Sequence, residues 1–316
     1  MLTEFTSATD QYRRELVTYC YRVLGSVHDA EDVVQETLLR AWRSYADYDP
    51  ARSALRTWLY RIATNVCLTA LDKRGRRPMP SGLGGPSEDP LSPLDGSTEV
   101  PWLQPFPTDP AAVVSSRTGM RLALIAALQH LPARQRVVLI LRDVLAWRAA
   151  EVAEFLDTSV ASVNSALQRA RSSLAAVGLA EDAVTEPTSP AQRSFLERYA
   201  SAFARADVDA LVATLHEDVV LEMPPFATWF AGRPLVARFL PTIFEPGTRL
   251  MVSVHANGQQ GFATYLRSDG AYHAHAIHVP TVTDAGITSM LVFLSADLFP
   301  SFGLPLTRPA EQVARA

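Results

Sequence analysis

Small polar residues and one arginine recur between positions 160 and 174 at helical spacing. Ser162, Ser165 and Arg169 lie three or four residues apart, so a helix would present them on one face. Serine and arginine donate hydrogen bonds, which suits contact with phosphate oxygens and with the edges of bases. The opposite face is an apolar stripe that comprises Val160, Val163, Leu167, Ala170 and Leu174.

A shorter amphipathic run and a polar turn precede this helix. The run covers residues 149–156, the turn covers 157–159, and Thr158 or Ser159 can cap the helix that follows. This order is typical of a helix-turn-helix, whose second helix can enter the major groove of DNA. Taken alone, the pattern also fits two amphipathic helices of an ordinary all-α domain. The candidate DNA-facing side chains here are Arg148, Ser162, Asn164, Ser165, Gln168, Arg169 and Arg171.

The 316 residues suffice for two or three domains, and their charges are distributed unevenly. Residues 1–77 carry 12 basic and 10 acidic side chains, and residues 111–180 carry 8 and 4. Residues 78–110 carry no basic and 5 acidic side chains, and residues 181–316 carry 9 and 14. Two mildly basic segments indicate phosphate contact at chosen places, and they argue against a general polyanion binder.

Residues 78–110 differ from the rest of the chain in composition. Nine of these 33 residues are proline and four are glycine, which predicts a non-helical spacer of extended character. The segment 101–107, PWLQPFP, is unusual because large aromatic side chains seldom lie in a free linker. Two alternatives stay open for it: packing on another domain of the same chain, or disorder.

Cysteine usage and hydropathy bear on the compartment and on cofactors. Cys20 and Cys67 lie in helix-like runs without a CxxC motif or a histidine at metal spacing, which predicts two buried thiols in a reducing compartment. No charged-then-apolar leader opens the chain, and no apolar run approaches the roughly 20 residues of a membrane span. We therefore expect a cytoplasmic protein with no membrane contact, no metal and no other cofactor.

Two longer amphipathic helices are predicted within residues 1–77. The first starts at a cap on Ser26 and continues to about Tyr45, with Ala30, Val34, Leu38, Ala41 and Trp42 inside. Its outer face carries acidic and polar side chains, which usually form a solvated surface. The second covers 53–74 and ends in a basic cluster that suits both the helix dipole and phosphate contact: Lys73, Arg74, Arg76 and Arg77.

Three stretches resemble, in order, the successive regions of an extracytoplasmic-function sigma factor. They are 29–42 (DAEDVVQETLLRAW), 55–77 (LRTWLYRIATNVCLTALDKRGRR) and 131–171, which begins LPARQRVVLILR. Members of that family give bacterial RNA polymerase its promoter specificity. The resemblance implies a region-two domain over 1–77, a linker over 78–110 and a region-four helix-turn-helix domain over 111–180, which would bind the minus-35 element.

The resemblance also implies roles for individual residues. Asp32, Gln35 and Glu36 match the acidic helix that docks on the polymerase. Residues 49–53 and the helix through Asn65 match the part that opens the minus-ten element, where unstacking a base costs roughly a few kcal/mol. The DNA-binding candidates of this domain are Arg52, Arg56, Arg61, Asn65, Lys73, Arg74, Arg76 and Arg77.

The recognition helix departs from the usual pattern of that family in two places. Asn164 stands where the family commonly has lysine, and Ala166 stands where it has arginine. Fewer positive charges release fewer counterions from DNA, so affinity falls. We therefore predict that this domain alone binds DNA weakly and depends on the polymerase.

The last domain, 188–316, has two helical runs followed by five strand-like runs, which is an α+β signature. Its motifs Met223-Pro-Pro, Gly232-Arg233 and 299–305 (FPSFGLP) resemble SnoaL-like polyketide-cyclase domains, specifically the version fused to sigma factors. That resemblance implies a cone-shaped fold with an apolar pocket and a regulatory role in cis. The candidate pocket residues are Glu222, Met223, Trp229, Tyr265, His273 and His275.

The histidines of this domain raise the question of catalysis. Strand alternation predicts that His273 and His275 share one face of strand 271–279, and that His278 lies on the other. No third ligand accompanies them, so we expect no metal site. A lone histidine on a strand is more often a hydrogen-bonded wall residue, so we expect no enzyme activity. Two alternatives remain open beside the sigma factor: a helix-turn-helix regulator that binds duplex DNA without polymerase, and a small-molecule enzyme or sensor with a DNA output.

Overall fold

A computed structural model describes residues 2–96, 99–109, 121–176 and 189–310. The described chain forms two compact units. Unit 1 contains the described residues of 1–77 and 116–179, and unit 2 contains those of 78–115 and 180–316. Unit 1 is helical and unit 2 contains a sheet, which confirms the predicted class of helical domains followed by an α+β domain.

The first part of unit 1 is built from three long helices, α1 (Leu2–Leu24), α2 (Val27–Arg43) and α3 (Leu55–Arg74). The Ser26 hydroxyl accepts a hydrogen bond from the Asp29 N–H at 3.1 Å, which confirms the predicted cap of α2. The Tyr19 and Thr64 hydroxyls share a buried hydrogen bond of 2.7 Å between α1 and α3. Cys20 and Cys67 are buried free thiols, as predicted.

The second part of unit 1 contains the helices α4 (Leu122–Leu128), α5 (Ala133–Leu139), α6 (Ala149–Phe155) and α7 (Val160–Ala176). A π-helical turn, Ile140–Val144, follows α5 directly. The Ser159 hydroxyl accepts the N–H of Ser162 at 3.1 Å and so caps α7. The predicted helix-turn-helix is therefore present as α6, a turn and α7. The sequence pattern predicts a helix over 120–131 here, and residue 120 lies outside the described residues.

Unit 2 begins with α8 (Pro190–Arg205) and α9 (Val208–Val212), and α10 (Arg233–Phe239) follows the second strand. Its strands are β1 (Leu215–Glu222), β2 (Trp229–Ala231), β3 (Arg249–Ala256), β4 (Gln259–Ser268), β5 (Ala271–Thr283), β6 (Gly286–Phe293) and β7 (Thr307–Pro309). The sheet order is β2-β1-β6-β5-β4-β3, and β7 pairs with β5. Neighbouring strands are antiparallel except β1 and β6.

The sequence predicted five of these strands and missed two. Strands β2 and β7 have three residues each, which is too short for an alternation pattern. The sequence predicts that the second helical run of this domain covers 208–215, but Leu215 is the first residue of β1. Helix α8 packs on strands β3, β5 and β6, and its Tyr199 and Phe203 lie in the apolar core of the unit.

Candidate functional site

Helix α7 separates buried apolar from exposed polar side chains, as its sequence pattern predicted except at Val160. Val163, Leu167 and Ala170 are buried, whereas Val160, in the first turn, is 44% exposed. All the predicted DNA-facing side chains of this helix are exposed: Ser162, Asn164, Ser165, Gln168, Arg169 and Arg171. The exposed face of α7 therefore carries the types of side chain that contact base edges and phosphates.

Two of the candidate arginines near this face hold acidic partners. Arg171 donates two hydrogen bonds to the Asp143 carboxylate, at 2.9 and 2.7 Å. Arg148 donates to Glu151, whose carboxylate also accepts the Arg148 backbone N–H at 2.7 Å and so starts α6. Both arginines remain largely exposed, with 62% and 83% of their side-chain surface in solvent. Exposed ion pairs are weak, so both side chains can exchange their partner for a phosphate.

The predicted minus-ten helix, α3, faces the recognition helix across a cleft within unit 1. Arg61 and Asn65 of α3 are exposed, and they line a cleft of about 580 Å³ together with Ser162 and Arg169 of α7. Arg52 is also exposed, in an adjoining cleft. The structure therefore brings candidates from both predicted DNA surfaces together in one place.

Arg56 is engaged inside the first helical group. Its guanidinium pairs with the Glu15 carboxylate, which also accepts the Tyr60 hydroxyl at 2.7 Å. Burial alone would raise the pKa of Glu15, but the hydrogen bonds from Arg56 and Tyr60 hold that pKa below its ordinary value. Arg56 therefore links α3 to α1 here.

The basic cluster at the end of α3 is not a uniform basic surface. Lys73 is exposed, and Arg76 bonds the Nδ1 atom of His130 at 3.2 Å. Arg77 forms a buried ion pair with Asp29, and each side chain is only 10% exposed. Arg77 therefore joins the end of α3 to the start of α2 instead of presenting a charge to solvent. The side chain of Arg74 lies outside the described part of the chain.

Helix α2 presents a mixed acidic and apolar face. Asp32 and Gln35 are exposed, and the Glu36 carboxylate accepts a hydrogen bond from Arg40 at 2.7 Å. Leu39 is 49% exposed and Trp42 is 42% exposed. The prediction that Trp42 lies inside is wrong. The sequence contained a signal for this exposure. Residues seven positions apart lie on the same face of a helix, so Leu39 shares a face with the polar Asp32, and Trp42 shares one with the polar Gln35.

Unit 2 contains an apolar cavity of about 320 Å³ that is partly open to solvent. Of the six predicted pocket residues, Met223 and His275 lie in its wall. The wall also contains Arg249, His278 and a ring of Phe, Leu, Ile, Val and Met side chains from α8, α10 and the sheet. Its dimensions and composition match those of small-molecule pockets, which are largely apolar with a few polar groups.

The structure places the other four predicted pocket residues outside this wall. The Glu222 carboxylate accepts the Ser81 N–H at 2.8 Å, and the Trp229 indole donates to the Gly84 carbonyl at 2.9 Å. The Tyr265 hydroxyl donates to the Pro305 carbonyl at 2.9 Å, and His273 is exposed. Burial raises the pKa of Glu222, and the Ser81 N–H opposes that shift.

His275 and His278 line the same cavity because strand β5 contains a bulge. Thr264 of β4 pairs with Ala276, and Tyr265 pairs with Ala274, so His275 is the extra residue. The bulge changes the phase of the alternation, and His275 and His278 then line the same cavity. The prediction that they lie on opposite faces is wrong for this reason.

The imidazole of His278 is fully engaged by its neighbours. Nδ1 lies 2.8 Å from the Tyr199 hydroxyl, and Nε2 lies 2.8 Å from the Thr264 hydroxyl. Thr264 in turn donates to the Met251 sulfur at 2.8 Å. Burial, with the nearby His275 and Arg249, lowers the pKa of His278 to about 3, so the ring is neutral at pH 7. A neutral ring held at both nitrogens is a structural wall residue.

Residues 78–96 and 99–109 run along unit 2, and we call them the strap. One end is held at β1 and β2, by the bonds of Glu222 and Trp229 given above. In the middle, the Asp95 N–H donates to the Thr228 hydroxyl at 2.9 Å, and the Asp95 carbonyl accepts from Ala227 at 2.7 Å. Leu94 packs against the apolar core and forms part of the cavity wall.

The other end of the strap pairs with the turn between β3 and β4. The Asn257 side chain accepts the Phe106 N–H at 2.8 Å, and the Asn257 N–H donates to the Phe106 carbonyl at 2.8 Å. Trp102, Leu103 and Phe106 are all buried. The sequence left two alternatives for the aromatic segment 101–107, and in the structure this segment packs on the last domain. Buried aromatic and leucine side chains make this a hydrophobic attachment as well as a hydrogen-bonded one.

Within the described residues, no three His, Cys, Asp or Glu side chains are grouped to hold a metal ion. Among the same residues, no helix has both the length and the apolar character needed to cross a membrane.

Comparison with known proteins shows which families and solved structures are similar to this chain. Three family descriptions match: Sigma-70 region 2 at residues 9–77, Sigma-70 region 4 at 121–174, and SnoaL-like domain at 196–290. The ECF RNA polymerase sigma factor SigG of Mycobacterium tuberculosis is 46% identical over 312 residues, which cover 96% of this chain and 84% of that protein. The ECF RNA polymerase sigma factor SigJ of the same species is 29% identical over 97% of this chain and 96% of its own length. A crystal structure of SigJ matches with a TM-score of 0.61 and 26% identity, covering 96% of this chain and all of that one.

Proposed function

The chain belongs to the extracytoplasmic-function RNA polymerase sigma factors, and we propose that its SnoaL-like domain regulates it in cis through the strap. As a sigma factor it binds core RNA polymerase and directs promoter recognition and transcription initiation. The observation that carries the regulatory proposal is the attachment of residues 78–109 to the last domain.

We propose that the exposed face of α2 is the docking surface for core polymerase. Asp32 and Gln35 supply polar contacts, and Leu39 and Trp42 supply apolar area that a partner can bury. Aromatic residues dominate the energy of many interfaces because they bury a large area at a small entropic cost. We therefore assign Trp42 as the residue that anchors the partner surface.

Promoter DNA is read, in this proposal, by α3 with the loop before it and by α7. In the free chain these surfaces face one cleft of about 580 Å³, which is too small for a DNA duplex. The two helical groups must therefore separate before either surface can meet DNA, and binding to the polymerase supplies the free energy for that step. This dependence agrees with the weak DNA binding expected from Asn164 and Ala166.

Substitution of Arg169 tests the DNA role of α7. Arg169→Ala is expected to lower transcription from a promoter with an intact minus-35 element by about tenfold, since a good arginine–base contact contributes about 1–3 kcal/mol. Run-off transcription with core polymerase measures the effect, on a promoter that the holoenzyme selects from randomised DNA. Arg205→Ala, an exposed arginine of unit 2, is the control. Equal activity of the two variants would remove Arg169 from the promoter contacts.

Regulation in cis follows from where the strap lies in the chain. It joins the two sigma domains covalently, so the path it takes limits how far they can separate. About 30 extended residues can span roughly 100 Å, but the attached strap is not free to extend. Release or attachment of the strap therefore changes the free energy of the open state that binds polymerase and promoter.

A charged residue in the strap tests this regulation. Leu94→Asp places a carboxylate against the apolar core and is expected to detach the middle of the strap, which limited proteolysis within 78–109 would detect. Transcription by this variant should differ from that of the unaltered chain by more than about threefold. Leu91→Asp is the matched control, because Leu91 lies on the same strap and is 67% exposed. A strap that is cut faster while transcription is unchanged would contradict the proposed regulation.

We assign no reaction to the SnoaL-like domain. The histidine deepest in its cavity, His278, is neutral and bonded at both nitrogens, so it has no free position for proton transfer. The cavity has no acidic side chain in its described wall to act as a general acid or base. The largely apolar wall with few polar groups is suited to binding a small molecule.

A further inference from the structure

The polar groups of the SnoaL-like cavity are unevenly distributed. Thirteen of the sixteen wall residues are apolar, and the three polar ones are Arg249, His275 and His278. The bonds of His278 to Tyr199 and Thr264 leave both of its nitrogens occupied. Arg249 and His275 are therefore the side chains that can offer hydrogen bonds to a molecule in the cavity.

Arg249 brings a positive charge into an apolar wall. Its guanidinium donates to the Ile243 and Glu245 carbonyls and lies 4.6 Å from the centre of the Phe244 ring. These contacts hold the side chain at the first residue of β3. Burial lowers the pKa of Arg249 from its ordinary value, yet a guanidinium stays protonated at neutral pH.

His275 lies on the bulge of β5 and adds a second donor. Within the part of the chain that the structure describes, no hydrogen bond to its imidazole is found. Burial and the nearby Arg249 lower the pKa of His275, which favours a neutral ring with one N–H to donate. The described wall thus combines one cation and one neutral donor with no carboxylate.

We propose that this cavity binds a small organic acid, with its carboxylate at Arg249 and His275 and its hydrocarbon part among the apolar side chains. An arginine in a largely apolar site binds carboxylates well because the charge-assisted hydrogen bonds are strong there. A cationic ligand would be repelled by the Arg249 charge, and a neutral ligand would form no charge-assisted hydrogen bond with it. The Glu245 carboxylate interacts electrostatically with Arg249, but Glu245 is exposed and lies outside the described wall.

The cavity volume limits the size of the acid. A water molecule occupies about 30 Å³ in the liquid, so 320 Å³ corresponds to roughly ten non-hydrogen atoms. Octanoate and 3-phenylpropanoate have this size. Longer chains would have to displace wall residues or extend out of the cavity, so affinity should fall in the series from octanoate to dodecanoate.

Isothermal titration of the full chain with octanoate tests the proposal. We expect saturable binding at one site, with a dissociation constant of about 1 mM or tighter, and at least about tenfold weaker binding of 1-octanol and of octylamine. Arg249→Met should weaken octanoate binding by about tenfold or more. Arg267→Met is the control, because Arg267 is an exposed arginine on the neighbouring strand β4 and should leave binding unchanged.

A second variant covers the case in which Arg249→Met disturbs the fold. Ile243→Ala enlarges the cavity without touching a polar group, and it should move the preferred acid from octanoate toward decanoate. Equal binding of octanoate and octanol, binding that Arg249→Met and Ile243→Ala leave unaltered, or no binding of any of the acids would each overturn the inference.

The inference that such a ligand regulates the sigma factor rests on the proposed function, and a separate measurement tests it. Because Leu94 of the strap forms part of the cavity wall, octanoate should slow hydrogen exchange at the Asp95 amide, which bonds Thr228. Faster exchange or no change on binding would contradict this coupling. Failure of octanoate to bind would leave the strap experiment with Leu94→Asp unaffected, and failure of that experiment would leave ligand binding intact, so the two proposals can fail separately.

Discussion

Trp42→Ala is expected to weaken binding of the chain to core RNA polymerase by about thirtyfold to a thousandfold, while the helical unit keeps its fold. Interface tryptophans that anchor a partner lose about 2–4 kcal/mol on truncation, which corresponds to that range. Trp42 is 42% exposed in the free chain, so a large part of its surface is available to a partner. Fluorescence anisotropy of labelled chain titrated with core polymerase measures the affinity.

A pair of leucines provides a matched control for the same surface. Leu39 on α2 and Leu306 in unit 2 are both 49% exposed. Leu39→Ala should weaken polymerase binding by about fivefold or more, since it removes apolar area at the proposed interface. Leu306→Ala should not change it. Equal affinities for all three variants and the unaltered chain would remove the α2 face from the docking surface.

The helix-turn-helix could be predicted from the sequence because its determinants are local. The apolar stripe through Val163 and Leu167, the cap at Ser159 and the polar turn all lie within 20 residues. Helix periodicity and capping depend on neighbours three and four positions away, so a single sequence contains them. The same holds for the Ser26 cap of α2.

The sequence predicted that the last domain contains a pocket, but it did not predict correctly which residues line that pocket. Simple alternation assigned His275 and His278 to opposite faces, and one extra residue in β5 reversed that assignment. A bulge depends on how the partner strand β4 pairs, which no local pattern in β5 contains. Arg249 was missed for a related reason, because its place in the wall depends on where β3 begins.

Long-range packing also decided the roles of several charged residues. The sequence presented Arg77 as one of four basic side chains at and just beyond the end of α3, whereas its partner Asp29 lies 48 positions earlier in the chain. Glu222 was predicted for the pocket, but Ser81, 141 positions away, occupies its carboxylate. Pairings at such separations depend on the tertiary fold and leave no periodic signal in the sequence.

Arg136→Met is expected to destabilise the helical unit by about 3–5 kcal/mol. Arg136 is buried at 3% exposure, and one of its terminal nitrogens donates to the Val23 carbonyl at 2.6 Å and to the Gln129 side chain at 2.9 Å. The other donates to the Gln129 and Leu131 carbonyls at 3.2 and 3.1 Å. Methionine fills similar space but leaves these buried acceptors without donors, and each such loss costs about 1–3 kcal/mol.

The cost is partly offset because a buried charge is itself unfavourable. Burial lowers the pKa of Arg136 to about 10, which shows the desolvation of its guanidinium while leaving it protonated at neutral pH. Removing the charge recovers some of that free energy, so the net loss is smaller than the sum over four hydrogen bonds. Arg136→Lys keeps the charge but has no planar fork to reach acceptors on several sides, and we expect it to be destabilising as well.

Urea denaturation followed by circular dichroism at 222 nm measures this loss, since the signal is dominated by the helices. Hydrogen exchange of peptides from 121–145 assigns the loss to the unit that contains Arg136. Arg134→Met on the same helix is the control, because Arg134 is exposed and should change stability by no more than about 0.5 kcal/mol. Equal stability of the two variants would contradict the prediction. It would mean that the four acceptors bind other donors in Arg136→Met, and that the contacts of Arg136 do not stabilise the packing of α5 on the end of α1.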